Sequence, residues 1–243
     1  MSDLQQQFVQ KKTGRSARYL LVVAAEIEAR AVLAGLGVHA RDPVRPWEKI
    51  RVTDKFDLVL SGVGKANGAG ACAAALADSR CGAVVNLGIC GGLPSPQPSA
   101  IGDAIFALHS QFADEGIERS SAWLPISQAG FPAGIQGDLV PADEELASLL
   151  VPRTDRAGII ATVSSCSGTD LRAREILRRL GPDGLAEAME GAAVGLAAAR
   201  LGARFAEVRV VSNTTGERER QVWDIPKALA RLEGLAREMS RVL

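Results

Sequence analysis

Short runs of apolar and β-branched residues alternate with helical patterns along almost the whole chain, and this alternation limits the fold more than any single motif. The runs are Tyr19–Ala25, Phe56–Gly62, Ala83–Gly88, Asp103–Leu108, Gly158–Val163 and Phe205–Ser212. Between and after them the spacing predicts helices over Glu26–Leu36, Lys65–Asp78, Asp170–Leu180 and Gly191–Leu201. Strands that are apolar throughout need cover on both faces, and the helices that return the chain between them supply it. The pattern is that of an α/β sandwich with a largely parallel or mixed sheet. A last helix is the clearest element. Ile225, Leu229, Leu232, Ala236, Met239 and Leu243 share one of its faces, with Asp224 at the cap and Pro226 in the first turn.

No composition break divides the chain, so residues 18–243 are read as one domain and residues 1–17 as a polar, mobile extension. Lys11, Lys12, Arg15 and Arg18 precede an apolar run as in a secretory leader, but that run is short and meets Glu26 and Glu28 at once. The longest charge-free stretch, Cys81–Gly102, contains three prolines and five glycines and reads as a loop-rich segment rather than a membrane span. Residues 110–140 read as an irregular excursion. Twenty-eight basic residues balance 28 acidic ones, and aromatics make up only 4%. Nucleic acid, which needs a basic surface and stacking platforms, is therefore not an expected partner, and neither is a membrane. Four cysteines without a Cys-x-x-Cys pair and only two histidines cannot build a common zinc site. Reduced thiols in the cytoplasm are expected, with no metal.

Two glycine-rich stretches follow predicted strands. Gly62-Val63-Gly64-Lys65-Ala66-Asn67-Gly68 opens a helix, where backbone amides can cradle an anion or a sugar hydroxyl. It lacks the third glycine of a dinucleotide fingerprint and the Ser or Thr of a P-loop, and tight strand-to-helix geometry explains it equally well. Asn86-Leu87-Gly88-Ile89-Cys90-Gly91-Gly92-Leu93 lies where ligands of open α/β sheets bind, beyond a strand's carboxyl end. With almost no histidine, acid–base work falls to carboxylates. Glu26 and Glu28 stand at a helix start, where they also suit the helix dipole. Glu190 lies among small apolar residues and needs a partner, either Arg209 or the hydroxyls of a bound sugar. The only cation expected near the two glycine stretches is Lys65.

Met189-Glu190 followed by Gly-Ala-Ala, the strand ending Val210-Val211-Ser212-Asn213, the Gly62-x-Gly64-Lys65 turn and Asn86-x-Gly88-x-x-Gly91-Gly92 together resemble the purine nucleoside phosphorylase and methylthioadenosine/adenosylhomocysteine nucleosidase superfamily over residues 19–243. Within it, Ile27-Glu28-Ala29, Thr162-Val163-Ser164 leading to Gly168-Thr169, Asn213 in place of an aspartate, and Arg218 to Pro226 are similar to the futalosine hydrolases. The resemblance implies a three-layer α/β/α sandwich with a mixed central sheet. It also implies a cofactor-free N-glycosyl hydrolase of menaquinone biosynthesis that assembles as a homo-oligomer, dimer or higher, on a small nucleoside substrate.

By the same resemblance Glu28 would serve the attacking water, with Glu26 as its competitor. Glu190 would hold ribose hydroxyls, Met189 would pack on the sugar, and Asn213 would face purine N7 and O6. Gly64, Gly88 and Gly91 would admit backbone to the ligand, and Thr169, Arg218 and Arg220 would contact substrate. Arg172, Arg174, Arg218 and Arg220 are candidates for a 5′ carboxylate. A phosphorylase or methylthioadenosine nucleosidase of the same fold is the nearest alternative. A silent nucleoside-binding protein and a dinucleotide-dependent oxidoreductase are the others.

Overall fold

Tyr19, Leu21 and Val23 of the first strand pack into one hydrophobic cluster and Leu20 and Val22 into another, and all five are buried. A strand with two dry faces must lie between two layers of helices. The computed structural model, which describes residues 18–39, 42–77, 79, 81–120 and 122–243, has this arrangement. The expected extension over residues 1–17 lies outside the described residues.

The strands are β1 (Tyr19–Val23), β2 (Lys49–Arg51), β3 (Phe56–Leu60), β4 (Ala83–Gly92), β5 (Ala104–Phe112), β6 (Gly116–Glu118), β7 (Trp123–Pro125), β8 (Leu139–Pro141), β9 (Arg156–Thr162), β10 (Gly184–Ala188) and β11 (Arg204–Thr214). The helices are α1 (Glu26–Gly35), α2 (Lys65–Ala77), α3 (Glu144–Leu150), α4 (Asp170–Leu180), α5 (Gly191–Arg200) and α6 (Ile225–Met239). Nine strands form one mixed sheet in the order β10-β9-β5-β11-β4-β1-β3-β2, with β8 added to β5. One face carries α1, α3 and α6 through Val32, Leu33, Leu146, Leu150, Leu232 and Leu235. The other carries α2 and α5 through Ala71, Cys72, Ala75, Ala192, Val194 and Ala198. The expected three-layer sandwich with a mixed central sheet is thus observed. β10 also pairs antiparallel with β4, so that β4, β11, β5, β9 and β10 close into a ring of strand pairings.

Several expectations change. Ile89–Gly92, read as part of a loop, continues β4 and pairs with both β10 and β11. The strand β10, sequence GLAEA, escaped notice because it has no β-branched residue. The excursion over 110–140 is not wholly irregular: β5 runs on to Phe112, β6 and β7 pair with each other, and β8 joins the main sheet. All four cysteines are free thiols. Among the described residues no helix is long and apolar enough to cross a membrane.

Candidate active site

β1, β4 and β11 run parallel, and their carboxyl ends open together beside the end of β10. The crevice there, about 330 Å³, is lined by Ala24 and Ala25 after β1, Ile89–Gly91 of β4, Glu187–Glu190 at the end of β10, and Arg209, Ser212 and Asn213 of β11. Glu28, Val63, Cys166 and Trp223 complete it. A larger cavity of about 480 Å³ lies elsewhere, between Phe112, Trp123 and Arg179. The buried charges converge on the smaller one.

Glu28 occupies the third position of α1, from which a glutamate reaches back to the helix cap. Its Oε2 accepts from Ala25 N at 2.8 Å, and its Oε1 accepts from Ile89 N of β4 at 2.8 Å. A local capping preference thereby holds a carboxylate against a strand end distant in sequence. Burial raises its pKa above the ordinary value, while Arg209 and the two backbone donors oppose the rise. Glu26, the competitor, is half-buried and paired with Arg30 at 2.7 Å on the same helix.

Arg209 is fully buried. Its Nε donates to Glu207 Oε1 at 2.9 Å, and its Nη2 donates to Glu190 Oε2 at 3.1 Å and to Asn86 Oδ1. Burial alone would depress its pKa, but Glu207, Glu190 and Glu28 together outweigh that and keep it charged. The arginine partner weighed for Glu190 is therefore present, and the second Glu190 oxygen accepts from Gly64 N at 2.9 Å. Lys65, expected to be the only nearby cation, is instead taken up by Asp114 and Glu115, and the cation in the crevice is Arg209.

Gly88 and Gly64 act differently from expectation, and neither lines the crevice. A Cβ on Gly88 would lie 2.6 Å from Glu28 Oε1 and 2.7 Å from Arg209 Nη1, so this glycine makes room for the charged pair rather than for ligand backbone. Gly88→Ala is expected to cost about 1–3 kcal/mol of stability through overpacking, read by urea denaturation, and to lower turnover with it. An unchanged midpoint and rate would mean that the pair can move aside.

Gly91, Met189 and Asn213 do line the crevice. Asn213 follows a register shift between Val211 and Asn213 in the pairing of β11 with β4, the kind of irregularity that re-aims a side chain. Its Nδ2 donates to Thr214 O at 2.9 Å and its Oδ1 lies 2.9 Å from Ser212 Oγ, leaving one N–H and one lone pair for a ligand. Thr169 instead caps α4, accepting from Arg172 N at 3.2 Å, and Arg220 pairs with Asp170 in solvent. Arg172 lies 3.2 Å from Glu175, and Arg174 is exposed on α4. Arg218 is not a lining residue, but it reaches the crevice wall, its guanidinium 4.7 Å over the Trp223 ring.

Sequence reasoning missed Glu187, a buried carboxylate of the wall whose oxygens accept from Ser167 N and Ser167 Oγ at 2.6 Å each. Its only local signal was its place three residues before Glu190. The Cys166 thiol, exposed at the crevice mouth, is pushed up to about 11 by partial desolvation and by Glu187 and Glu190, which disfavours its thiolate.

The family model described as the phosphorylase superfamily matches residues 52–241. The futalosine hydrolase of Acidothermus cellulolyticus is 38% identical over 220 residues, 90% of this chain and 88% of that protein. That of Streptomyces coelicolor is 35% identical over 230 residues, 92% of this chain and 95% of that protein. Among solved structures, futalosine hydrolase of Helicobacter pylori superposes with a TM-score of 0.73 at 17% identity, covering 93% of this chain and 98% of that one. The 5′-methylthioadenosine/S-adenosylhomocysteine nucleosidase of Neisseria meningitidis, in complex with methylthio-immucillin-A, superposes at 0.74 and 19% identity, covering 94% of this chain and 100% of that one. At such identities the superpositions establish the fold alone.

Proposed function

The chain belongs to the phosphorylase superfamily and, within it, to the futalosine hydrolases, and from that membership we propose that it hydrolyses the N-glycosidic bond of futalosine, releasing hypoxanthine and dehypoxanthinyl futalosine in menaquinone biosynthesis. The charge balance of the crevice carries the choice of water over phosphate. Arg209 is already committed to Glu190 and Glu207, and Glu28 and Glu187 add further carboxyls to the same pocket. A phosphate dianion would meet several carboxyls around one shared guanidinium, with no second arginine among the described lining residues to clamp it.

Water needs only a base and a held sugar. In this reading Glu28 takes the proton as water oxygen bonds to C1′, while the C1′–N9 pair leaves with the purine. Charge building on the sugar ring is of the oxocarbenium kind, which nearby carboxylates stabilise. Glu190, fixed by Gly64 N and Arg209, accepts from ribose hydroxyls, and Met189 packs on the sugar. Solvent water protonates N7 as the purine departs, and Asn213 donates a hydrogen bond to O6 and accepts one from that N7–H. Arg218, beside Trp223, is the candidate for the 5′ carboxylate of the substrate. The reading includes a cytoplasmic, cofactor-free enzyme that forms a homo-oligomer, and four free thiols support that compartment.

The test is incubation with futalosine, inosine and methylthioadenosine, each with and without phosphate, followed by chromatography of the free base. Hypoxanthine should appear from futalosine at a rate indifferent to phosphate, with methylthioadenosine largely intact. A rate that climbs with phosphate and yields a sugar 1-phosphate would identify a phosphorylase instead.

A further inference from the structure

Residues paired in register on neighbouring strands present their side chains to the same face of a sheet. At Gly91 of β4 the paired residues are Glu187 of β10 on one side and Asn213 of β11 on the other. Gly91 puts no side chain between them. A Cβ built there would lie 2.8 Å from Thr215 Cγ2, 3.3 Å from Asn213 Nδ2 and 3.6 Å from Glu187 Cγ. All three line the crevice, so beside the Thr215 methyl the side-chain-free strand position leaves a slot with an amide on one wall and a carboxyl on the other. Two strand spacings, on the order of 10 Å, separate the two backbones and leave room for a flat ring whose rim both side chains reach.

We infer that Glu187 is a second base-reading residue, accepting a hydrogen bond from N1–H of a 6-oxopurine while Asn213 serves O6 and N7. The inference rests on the proposed nucleosidase reading, which sets the purine against Asn213. Along the purine rim O6 lies between N7 and N1, so the group next beyond the reach of Asn213 is N1. That atom bears a proton in hypoxanthine and a bare lone pair in adenine. A carboxyl oxygen suits the first and repels the second, and a buried polar mismatch of this kind is what separates close analogues strongly. Ser167 N and Oγ, each 2.6 Å away, hold the carboxyl in place and leave it lone pairs for the ligand. Burial raises the Glu187 pKa, while the two Ser167 donors favour the ionised form, which is an acceptor only.

The experiment compares kcat/KM for futalosine and for its 6-amino analogue in the wild type, Glu187→Gln, Glu187→Asp and Ser167→Ala. Calorimetric binding of free hypoxanthine and adenine is measured for each. In Glu187→Gln the single amide oxygen is claimed by Ser167 N–H, and an N–H turns to the slot. The 6-oxo to 6-amino ratio should fall about tenfold or more, and the hypoxanthine preference in binding with it. Glu187→Asp, which withdraws the acceptor by one methylene, should move the ratio the same way. Ser167→Ala, which loosens the carboxyl without removing it, should slow both substrates and spare the ratio. Equal losses on both substrates in Glu187→Gln and Glu187→Asp would make Glu187 only an anchor for Ser167 and overturn the inference. A wild type that leaves futalosine intact overturns the proposed function instead, and binding still decides the role of Glu187. Hypoxanthine bound no better than adenine, or bound equally well by Glu187→Gln, overturns it.

Discussion

Replacing Arg209 with methionine is expected to lower folding stability by about 3–5 kcal/mol and to abolish steady-state base release. The guanidinium is fully buried and pairs with Glu190 and Glu207, themselves buried, while Glu28 feels its charge. Methionine fills much of the volume but strands these carboxylates in a medium that solvates them poorly. Urea denaturation of the two proteins measures the loss. The effects should not add: Arg209→Met combined with Glu207→Gln removes one stranded charge along with its partner and should regain part of the deficit. A variant as stable as the wild type would mean that water or a neighbouring group already neutralises these carboxylates, and the electrostatic account of the crevice would fall.

Glu28→Gln should lower kcat/KM by about 10²–10⁴-fold, the range of a positioned general base, with the fold retained. Glu26→Gln should stay close to wild type, because Glu26 does not line the crevice and is paired with Arg30 on the first helical turn. The reverse outcome would transfer the base role to Glu26. The pH profile supplies a second check. A base works only when ionised, and burial raises the Glu28 pKa above 4.5. Activity should therefore fall as pH drops through a value above 4.5, and the pH of half-activity should lie higher still where Arg209, whose charge opposes the rise, is lost. That last shift must be read by single-turnover assays at high enzyme concentration, given the low turnover expected of Arg209→Met.

The sandwich was legible because its signals are local. Doubly buried strands read as apolar runs, and α6 shows its buried face through a 3.6-residue period. Glu26 and Glu28 stood out together at a helix start and Glu190 in its apolar setting, while the choice of Glu28 and the role of Asn213 came from the family resemblance. Lys65 misled, since only the folded chain brings Asp114 and Glu115 to it. Gly88 misled as well. It was read as an opening for ligand, whereas in the fold it clears space for Glu28 and Arg209.

The sequence by itself therefore determined the kinds of element, their order, the layering and the chemical type of the site, a carboxylate pocket at strand ends. Which charges meet in that pocket was decided by tertiary structure. Glu187 and Asn213 flank Gly91 only because β10 and β11 pair with opposite edges of β4 in one register, and Arg209 reaches Glu190 only because α5 starts beside that sheet. Apolar periodicity is written into neighbouring residues, while strand partners and register are selected by the burial of the whole core, which no short stretch of sequence contains.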